Sequence, residues 1–140
     1  PFCVSTLASE VMSACNKSFS MCPGLTAGLV DALEANADGM MEAAVLIVYE
    51  ERFRPPEKVS IEWIEGQWAK VSRALDALNT RWMSHLHGRL DMGHIAIGCA
   101  LAYLDFRHDV RKWRTGREAL ADWYEGFAQR PSMVATDPQS

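Results

Sequence analysis

The stretch MGHIAIGCALAYLDFR, residues 92–107, decides the fold because it is apolar on nearly every side of a helix. It predicts a helix that starts at Asp91 and runs to about Phe106. A helix that is apolar all round is buried, so this one belongs in the centre of a bundle. Its small residues would let neighbouring helices approach closely; they are Gly93, Ala96, Gly98, Ala100 and Ala102.

A second predicted helix has a single apolar face. Ser60 is a plausible N-cap, and Glu62 lies in the first turn, where a negative charge is favourable. The apolar residues follow one another at alternating steps of three and four, which is typical of a helix that packs along one stripe. They are Ile61, Ile64, Trp68, Val71, Leu75, Leu78 and Trp82. The helix is predicted to stop near Gly88.

Another helix precedes this one, from Leu25 to Arg54, and Pro55-Pro56 ends it. Its segment AAVLIVY, residues 43–49, is rich in β-branched residues and could form a buried strand. Charged residues on both sides keep helical spacing, however, and this favours a helix throughout.

The last predicted helix opens with a capping box, in which Thr115 is the N-cap and Glu118 is the third residue. Pro131 ends it, and one face is apolar: Leu120, Trp123, Tyr124 and Phe127. No alternation of apolar and polar residues with tight-turn signals occurs along the chain. The predicted fold class is therefore all-α, a helical bundle.

Composition excludes several classes of function. The chain has 140 residues, with 14 Lys and Arg against 18 Asp and Glu, so its net charge is −4. A mildly acidic chain is a poor candidate for binding nucleic acid. No apolar run approaches the roughly 20 residues of a membrane span, and no secretory signal is evident. Four cysteines without a CxxC pair indicate reduced thiols, so we expect a cytoplasmic protein.

The histidines are the first residues to consider as ligands of a metal ion, but their spacing gives little support for a metal site. They lie at 85, 87, 94 and 108, but no HExxH or CxxC pattern supplies further ligands at a suitable spacing. Glu50 and Glu51 are adjacent and point to different faces of a helix, and no GxSxG elbow marks a catalytic serine. The sequence therefore predicts no metal, no catalytic residue and mainly loop positions for these histidines.

Several runs resemble the all-helical C-terminal domain of bacterial glutathione S-transferases. They are ADGMMEAA with YEERFRP (37–44 and 49–55), MGHIAIGCALAYLDFR (92–107), WR (113–114), LADWY (120–124) and FAQRPS (127–132). Their order and spacing match that domain over four helices, from about Leu25 to Asp137. The resemblance implies a helical domain at residues 25–140, preceded by a lead-in segment of unclear structure at residues 1–24.

In this family an N-terminal thioredoxin-like domain binds glutathione and activates its thiol with a Ser, Cys or Tyr. A single βαβ unit needs roughly 30 residues or more, and only 24 precede Leu25. We therefore expect that domain to be absent from this chain and the chain alone to be inactive. The resemblance makes glutathione the co-substrate of the complete enzyme, and a small electrophile the second substrate.

The resemblance also assigns site residues. The position of Glu42 reaches glutathione held by the partner subunit in many members, and Asp38 shares its helix face; a solvated or interface acid is the alternative. Positions that border the hydrophobic substrate pocket are matched by Val45, Val48, Tyr49, Arg52 and Tyr103. For Val45 and Val48 the alternative is core packing, and for Tyr103 it is a core tyrosine with a satisfied hydroxyl.

One structural motif departs from the family pattern. Members usually start the buried helix with Ser or Thr and place Asp three residues later, whereas Asp91 and His94 hold these positions here. Asp91 can still accept from a backbone N–H as the N-cap, and the return bond is altered.

The predicted function is the helical half of a glutathione transferase, which forms the wall of the hydrophobic pocket and the interface of a homodimer. The alternative is a GST-like helical module that assembles with other proteins and has no catalytic role.

Overall fold

The computed structural model describes residues 27–136, which form a helical bundle without any strand in that range. The main helices are α1 (Ala27–Phe53), α2 (Ile61–Ala77), α3 (Met83–Leu86), α4 (Met92–His108), α5 (Glu118–Ala128) and α6 (Pro131–Ala135). A π-helical turn, Leu78–Trp82, joins α2 to α3, and 3-10 turns lie at Pro56–Lys58 and Asp109–Arg111. None of the described helices is long and apolar enough to cross a membrane. The lead-in at 1–24 lies outside the described residues.

Helix α4 is the centre of the bundle, as its sequence predicts. It packs against both α1 and α5, and Ile97, Leu101 and Leu104 are fully or almost fully buried. A Cβ on Gly93 would lie 2.9 Å from the Leu33 side chain of α1. A Cβ on Gly98 would lie within 2.4 Å of the Phe127 ring of α5. Glycine at these two positions is therefore what allows both neighbours to approach.

Helix α1 is helical throughout, and this confirms the helical interpretation of residues 43–49. Glu50, near its end, is buried although it is charged, because two groups satisfy its carboxylate. The Ser60 backbone N–H donates to one oxygen at 3.1 Å, and Arg54 pairs with the other at 2.9 Å. Ser60 also caps α2 by accepting from the Trp63 backbone N–H at 3.3 Å, as predicted. Glu50 thus ties the end of α1 to the start of α2.

The apolar stripe of α2 is confirmed in its middle and differs at its start. Ile64, Val71, Leu75 and Leu78 are buried, whereas Ile61 is 66% exposed. The π-helical turn was not predicted, since the apolar spacing continues through it.

The capping box predicted at Thr115 and Glu118 is wrong. Helix α5 begins at Glu118, its N-cap position is Arg117, and no side chain of that residue caps the helix. Instead the Leu120 backbone N–H donates to the Asn79 side-chain oxygen at 3.0 Å. Asn79 lies in the π-helical turn, so the acceptor comes from a distant part of the chain.

Asp105 holds the loop between α4 and α5 against the bundle. Its Oδ1 accepts from the buried Trp113 indole at 2.7 Å, and Arg114 pairs with both carboxylate oxygens at 2.5 and 2.6 Å. The YLDFR and WR runs of the sequence are therefore one hydrogen-bonded unit. Bidentate guanidinium–carboxylate pairs of this kind are among the stronger polar contacts in proteins.

Candidate functional site

The pocket residues predicted on α1 share one face of that helix. At 100° per residue, Glu42, Val45, Val48, Tyr49 and Arg52 fall within about 120° of one another. This face is turned away from the buried face that carries Leu33, Met40 and Ile47. Val45 and Val48 are half-buried, and Glu42, Tyr49 and Arg52 are exposed. The five residues therefore form a continuous strip along the outer side of α1.

Aromatic rings extend this strip toward α4. The Tyr49 and Phe53 rings meet edge to face with centroids 5.5 Å apart, and Phe53 is 72% exposed. Tyr103 on α4 is half-buried and lies within electrostatic range of Tyr49. The structure thus brings one predicted residue of α1, Tyr49, close to the one predicted on α4. Large exposed aromatic groups in contact with one another mark a surface suited to an apolar ligand.

The surroundings of the Tyr103 hydroxyl disfavour its ionisation. Burial raises its pKa above the usual value, Arg107 on the same helix opposes this, and Tyr49 adds to it. Tyr103 is therefore a phenol at physiological pH, able to donate a hydrogen bond to a ligand.

His108 ends α4 behind Tyr103 and fixes α4 to α1. Its Nε2 lies 3.0 Å from the Ala44 carbonyl oxygen, to which it donates when protonated there. Its ring is 6.2 Å from that of Tyr103 and 5.8 Å from that of Trp68. Burial lowers the pKa of His108, partly offset by the bond to Ala44 and by Glu51, while Arg111 and Arg107 lower it further. His108 is therefore buried and neutral. It is the last residue of α4, so its predicted loop position is wrong.

Glu42 borders a second feature, a groove of about 370 Å³ between α1 and α2. Its polar lining residues are Asn36, Glu42, Gln67 and Lys70. The Asn36 side-chain oxygen is buried and has no hydrogen-bond partner within the described residues. Gly39 lies in the same groove, and a Cβ there would meet nothing within 4 Å. The close packing that would explain a glycine in mid-helix is therefore not made by residues 27–136.

The predicted cap of α4 is confirmed. Asp91 Oδ1 accepts from the His94 backbone N–H at 3.2 Å, and His94 Nδ1 lies 3.3 Å from the Asp91 backbone N–H. Both bonds of a capping box are present, with an imidazole in the place of the usual carboxylate. His94 is almost completely buried, and His85 from α3 joins the same carboxylate.

Comparison with known proteins identifies the family. The family model for the C-terminal domain of glutathione S-transferase matches residues 61–126. The GST-like protein YibF of Escherichia coli (strain K12) is 30% identical over 138 residues, which span 96% of this chain and 68% of YibF. The chain belongs to the glutathione S-transferase family. Its all-helical fold is that of the C-terminal domain.

Solved glutathione transferases have the same fold. A family member from Pseudomonas fluorescens Pf-5, with bound S-(propanoic acid)-glutathione, matches with a TM-score of 0.85 and 38% identity, over 91% of this chain and 68% of that one. A glutathione S-transferase from Methylobacillus flagellatus KT with glutathione bound matches with a TM-score of 0.78 and 29% identity, over 98% of this chain and 70% of that one. Both relatives hold glutathione or a derivative of it.

Sequence reasoning missed two residues beside the predicted ones on this surface, Phe53 and Arg107. Each lies four residues after a predicted site residue, Phe53 after Tyr49 and Arg107 after Tyr103. Side chains four residues apart on a helix are neighbours, so the same spacing rule that placed the predicted residues extends the surface to these two.

Proposed function

We propose that this chain forms the wall of the hydrophobic substrate pocket of a glutathione transferase and the dimer interface of that enzyme. In the reaction, the glutathione thiolate attacks an electrophilic carbon; a sulfur–carbon bond forms and the leaving group departs with its electron pair. The chain contributes positioning and exclusion of water, which raise the rate without a covalent role for the helical domain.

The observation that carries the pocket assignment is the aromatic strip of Tyr49, Phe53 and Tyr103. The rings of Tyr49 and Phe53 are too exposed to be explained by packing within residues 27–136, and the resemblance to the family implies an apolar substrate here. The relative from P. fluorescens supports the same chemistry, because its ligand is a glutathione whose sulfur carries a propanoic acid group. Arg52 and Arg107 at the edge of the strip favour an electrophile with an anionic substituent.

A homodimer is supported by the groove between α1 and α2. Gly39 leaves its floor open to a closely approaching backbone. Glu42 at the groove's edge would then face glutathione held by the other subunit, whose ammonium it would bind. We expect the dimer to act in the cytoplasm, where glutathione is reduced and the chain's cysteines remain thiols.

The test joins the chain to the glutathione-binding, thioredoxin-like domain of a relative and measures conjugation of glutathione to 1-chloro-2,4-dinitrobenzene. The fusion is expected to be a dimer by light scattering and to conjugate the substrate. Replacing Glu42 by Gln should raise the KM for glutathione, whereas the matched change Glu57→Gln, on an exposed turn, should not.

A well-folded dimeric fusion that binds glutathione and conjugates no electrophile would overturn the proposal. That outcome would favour the alternative, a helical module for assembly with other proteins.

A further inference from the structure

We infer that His85, Asp91 and His94 form a binding site for a divalent transition metal ion such as Zn²⁺, at the end of the bundle opposite the aromatic strip. Each of the three offers one ligand atom, and these atoms all lie within 4.8 Å of one another. Within residues 27–136 this is the one group of three such side chains so arranged. Two imidazoles and a carboxylate are the three protein ligands of several zinc sites, in which water takes the fourth position.

Both imidazoles are aimed at the same carboxylate. His85 Nε2 lies 2.7 Å from Asp91 Oδ2, and His94 Nδ1 lies 2.7 Å from Asp91 Oδ1. Zn²⁺ binds nitrogen and oxygen at about 2.0–2.2 Å, so its donors can lie up to about 4 Å apart. The ligand atoms of the cluster, which lie within 4.8 Å of one another, are therefore close to the spacing that one shared ion requires. The carboxylate has two oxygens, so Oδ1 can continue to cap α4 while Oδ2 binds the ion.

The short contact between His94 and Asp91 can hold either a proton or a metal ion. Nδ1 lies 2.7 Å from Asp91 Oδ1, to which it donates when it carries the proton. A bound Zn²⁺ would take the place of that proton between the imidazole nitrogen and the carboxylate. The longer return bond from the Asp91 backbone N–H, at 3.3 Å, would then be given up. The other nitrogen, Nε2, is buried without a hydrogen-bond partner among the described residues.

The electrostatic environment favours a cation. Glu34 on α1 lies within electrostatic range of Asp31, Asp38 and Asp91. The negative potential that these carboxylates share attracts a positive ion.

Access and position indicate a structural role for the ion. His85 and Asp91 keep 19% and 14% of their side-chain surfaces exposed, so an ion can enter from solvent. His94 and Tyr103 are nine residues apart on α4, or about 13 Å, and the ion would therefore not touch the pocket. It would join α3 to the start of the central helix.

The test uses the 140-residue chain without an affinity tag, stripped of metal by EDTA and titrated with Zn²⁺ by calorimetry. One equivalent should bind with a micromolar or tighter Kd, and Zn²⁺ should raise the Tm. His85→Ala should weaken binding at least tenfold. The matched control is His87→Ala, an exposed histidine two residues away that bonds to the Met83 carbonyl; this variant should bind as the wild type does.

A second variant, His94→Gln, guards against a folding defect, because glutamine can keep the return bond of the capping box. It too should lose at least tenfold in affinity. Co²⁺ provides an independent signal, since Trp82 and Trp123 lie 6.2 and 6.3 Å from the rings of His85 and His94, and their fluorescence should be quenched. The inference is overturned by a wild-type chain that binds no Zn²⁺ below 100 µM, or by His85→Ala and His94→Gln variants that bind as tightly as the wild type.

Discussion

The two ends of α4 each carry a buried histidine, and the two histidines are held in different ways. His94 at the start faces a carboxylate that two imidazoles share, whereas His108 at the end faces a backbone carbonyl and is kept neutral by burial. The first end is polar and is built to hold charge. The second end lies behind the aromatic strip, and burial there disfavours a charge on the His108 ring. One helix therefore has a charged group, Asp91, that anchors its start and a buried, neutral histidine at its end.

Removing Asp91, the charged group at the start of α4, should cause the largest loss of stability. Asp91→Ala deletes the N-cap of α4 and the common partner of two histidines, so we expect it to lower the free energy of unfolding by about 2 kcal/mol. Urea denaturation with EDTA present measures this loss without any contribution from metal. Asp109→Ala is the control, because Asp109 is exposed and pairs only with the exposed Lys112. Equal urea midpoints for the two variants would contradict the role of Asp91 in holding the start of α4.

The free energy of unfolding should depend on pH through His108, at the C-terminal end of α4. Burial lowers the pKa of His108 in the folded state, whereas the unfolded chain takes up the proton at about pH 6.5. Below about pH 6.5 the unfolded state then binds more protons than the folded state. The contribution of His108 to the free energy of unfolding is therefore constant above about pH 6.5 and falls as the pH decreases below it. The slope for one group is at most about 1.4 kcal/mol per pH unit.

His108→Gln isolates this contribution from those of the other histidines. Glutamine can donate to the Ala44 carbonyl but does not titrate, so its stability should fall less than that of the wild type between pH 6.5 and 5. Urea midpoints at several pH values give the difference. Parallel curves for the two proteins would show that His108 is not held neutral.

A smaller loss of stability is expected from a change at the start of α5. The cap of α4 comes from a neighbouring residue, whereas the acceptor at the start of α5 comes from a distant part of the chain. Asn79→Ala removes the acceptor of the Leu120 N–H and should cost about 1 kcal/mol. Thr115→Ala should change the free energy of unfolding by less than about 0.5 kcal/mol, because the exposed Thr115 does not cap the helix. A larger loss for Thr115→Ala than for Asn79→Ala would restore the capping box that the sequence predicted.

The sequence predicted those features that depend on neighbours along the chain. The apolar residues of 92–107 identified the central helix, and Ser60 and Asp91 identified helix starts, because a cap bonds to an N–H two or three residues away. Thr115 was misassigned since the true acceptor, Asn79, lies 41 residues before Leu120, whose N–H it accepts, and only folding brings it near.

The residues of the candidate site were likewise predictable from the sequence where they are neighbours on one helix, and not where folding brings them together. The strip on α1 follows from helical spacing, but its proximity to Tyr103 came from the family resemblance and depends on how α1 packs against α4. The cluster of His85, Asp91 and His94 escaped the search for metal motifs because its spacing matches none of the known patterns. A capping aspartate completes it, and that role is assigned by local backbone geometry rather than by ligand spacing.

The most direct test of the account compares the two ends of α4 in the active fusion. Steady-state kinetics with the electrophile varied should show a raised KM for Tyr103→Ala, with the KM for glutathione unchanged. His85→Ala, at the other end, should leave both constants as they are in the parent fusion. An unchanged electrophile KM in a folded Tyr103→Ala fusion would contradict the assignment of this aromatic surface to the second substrate.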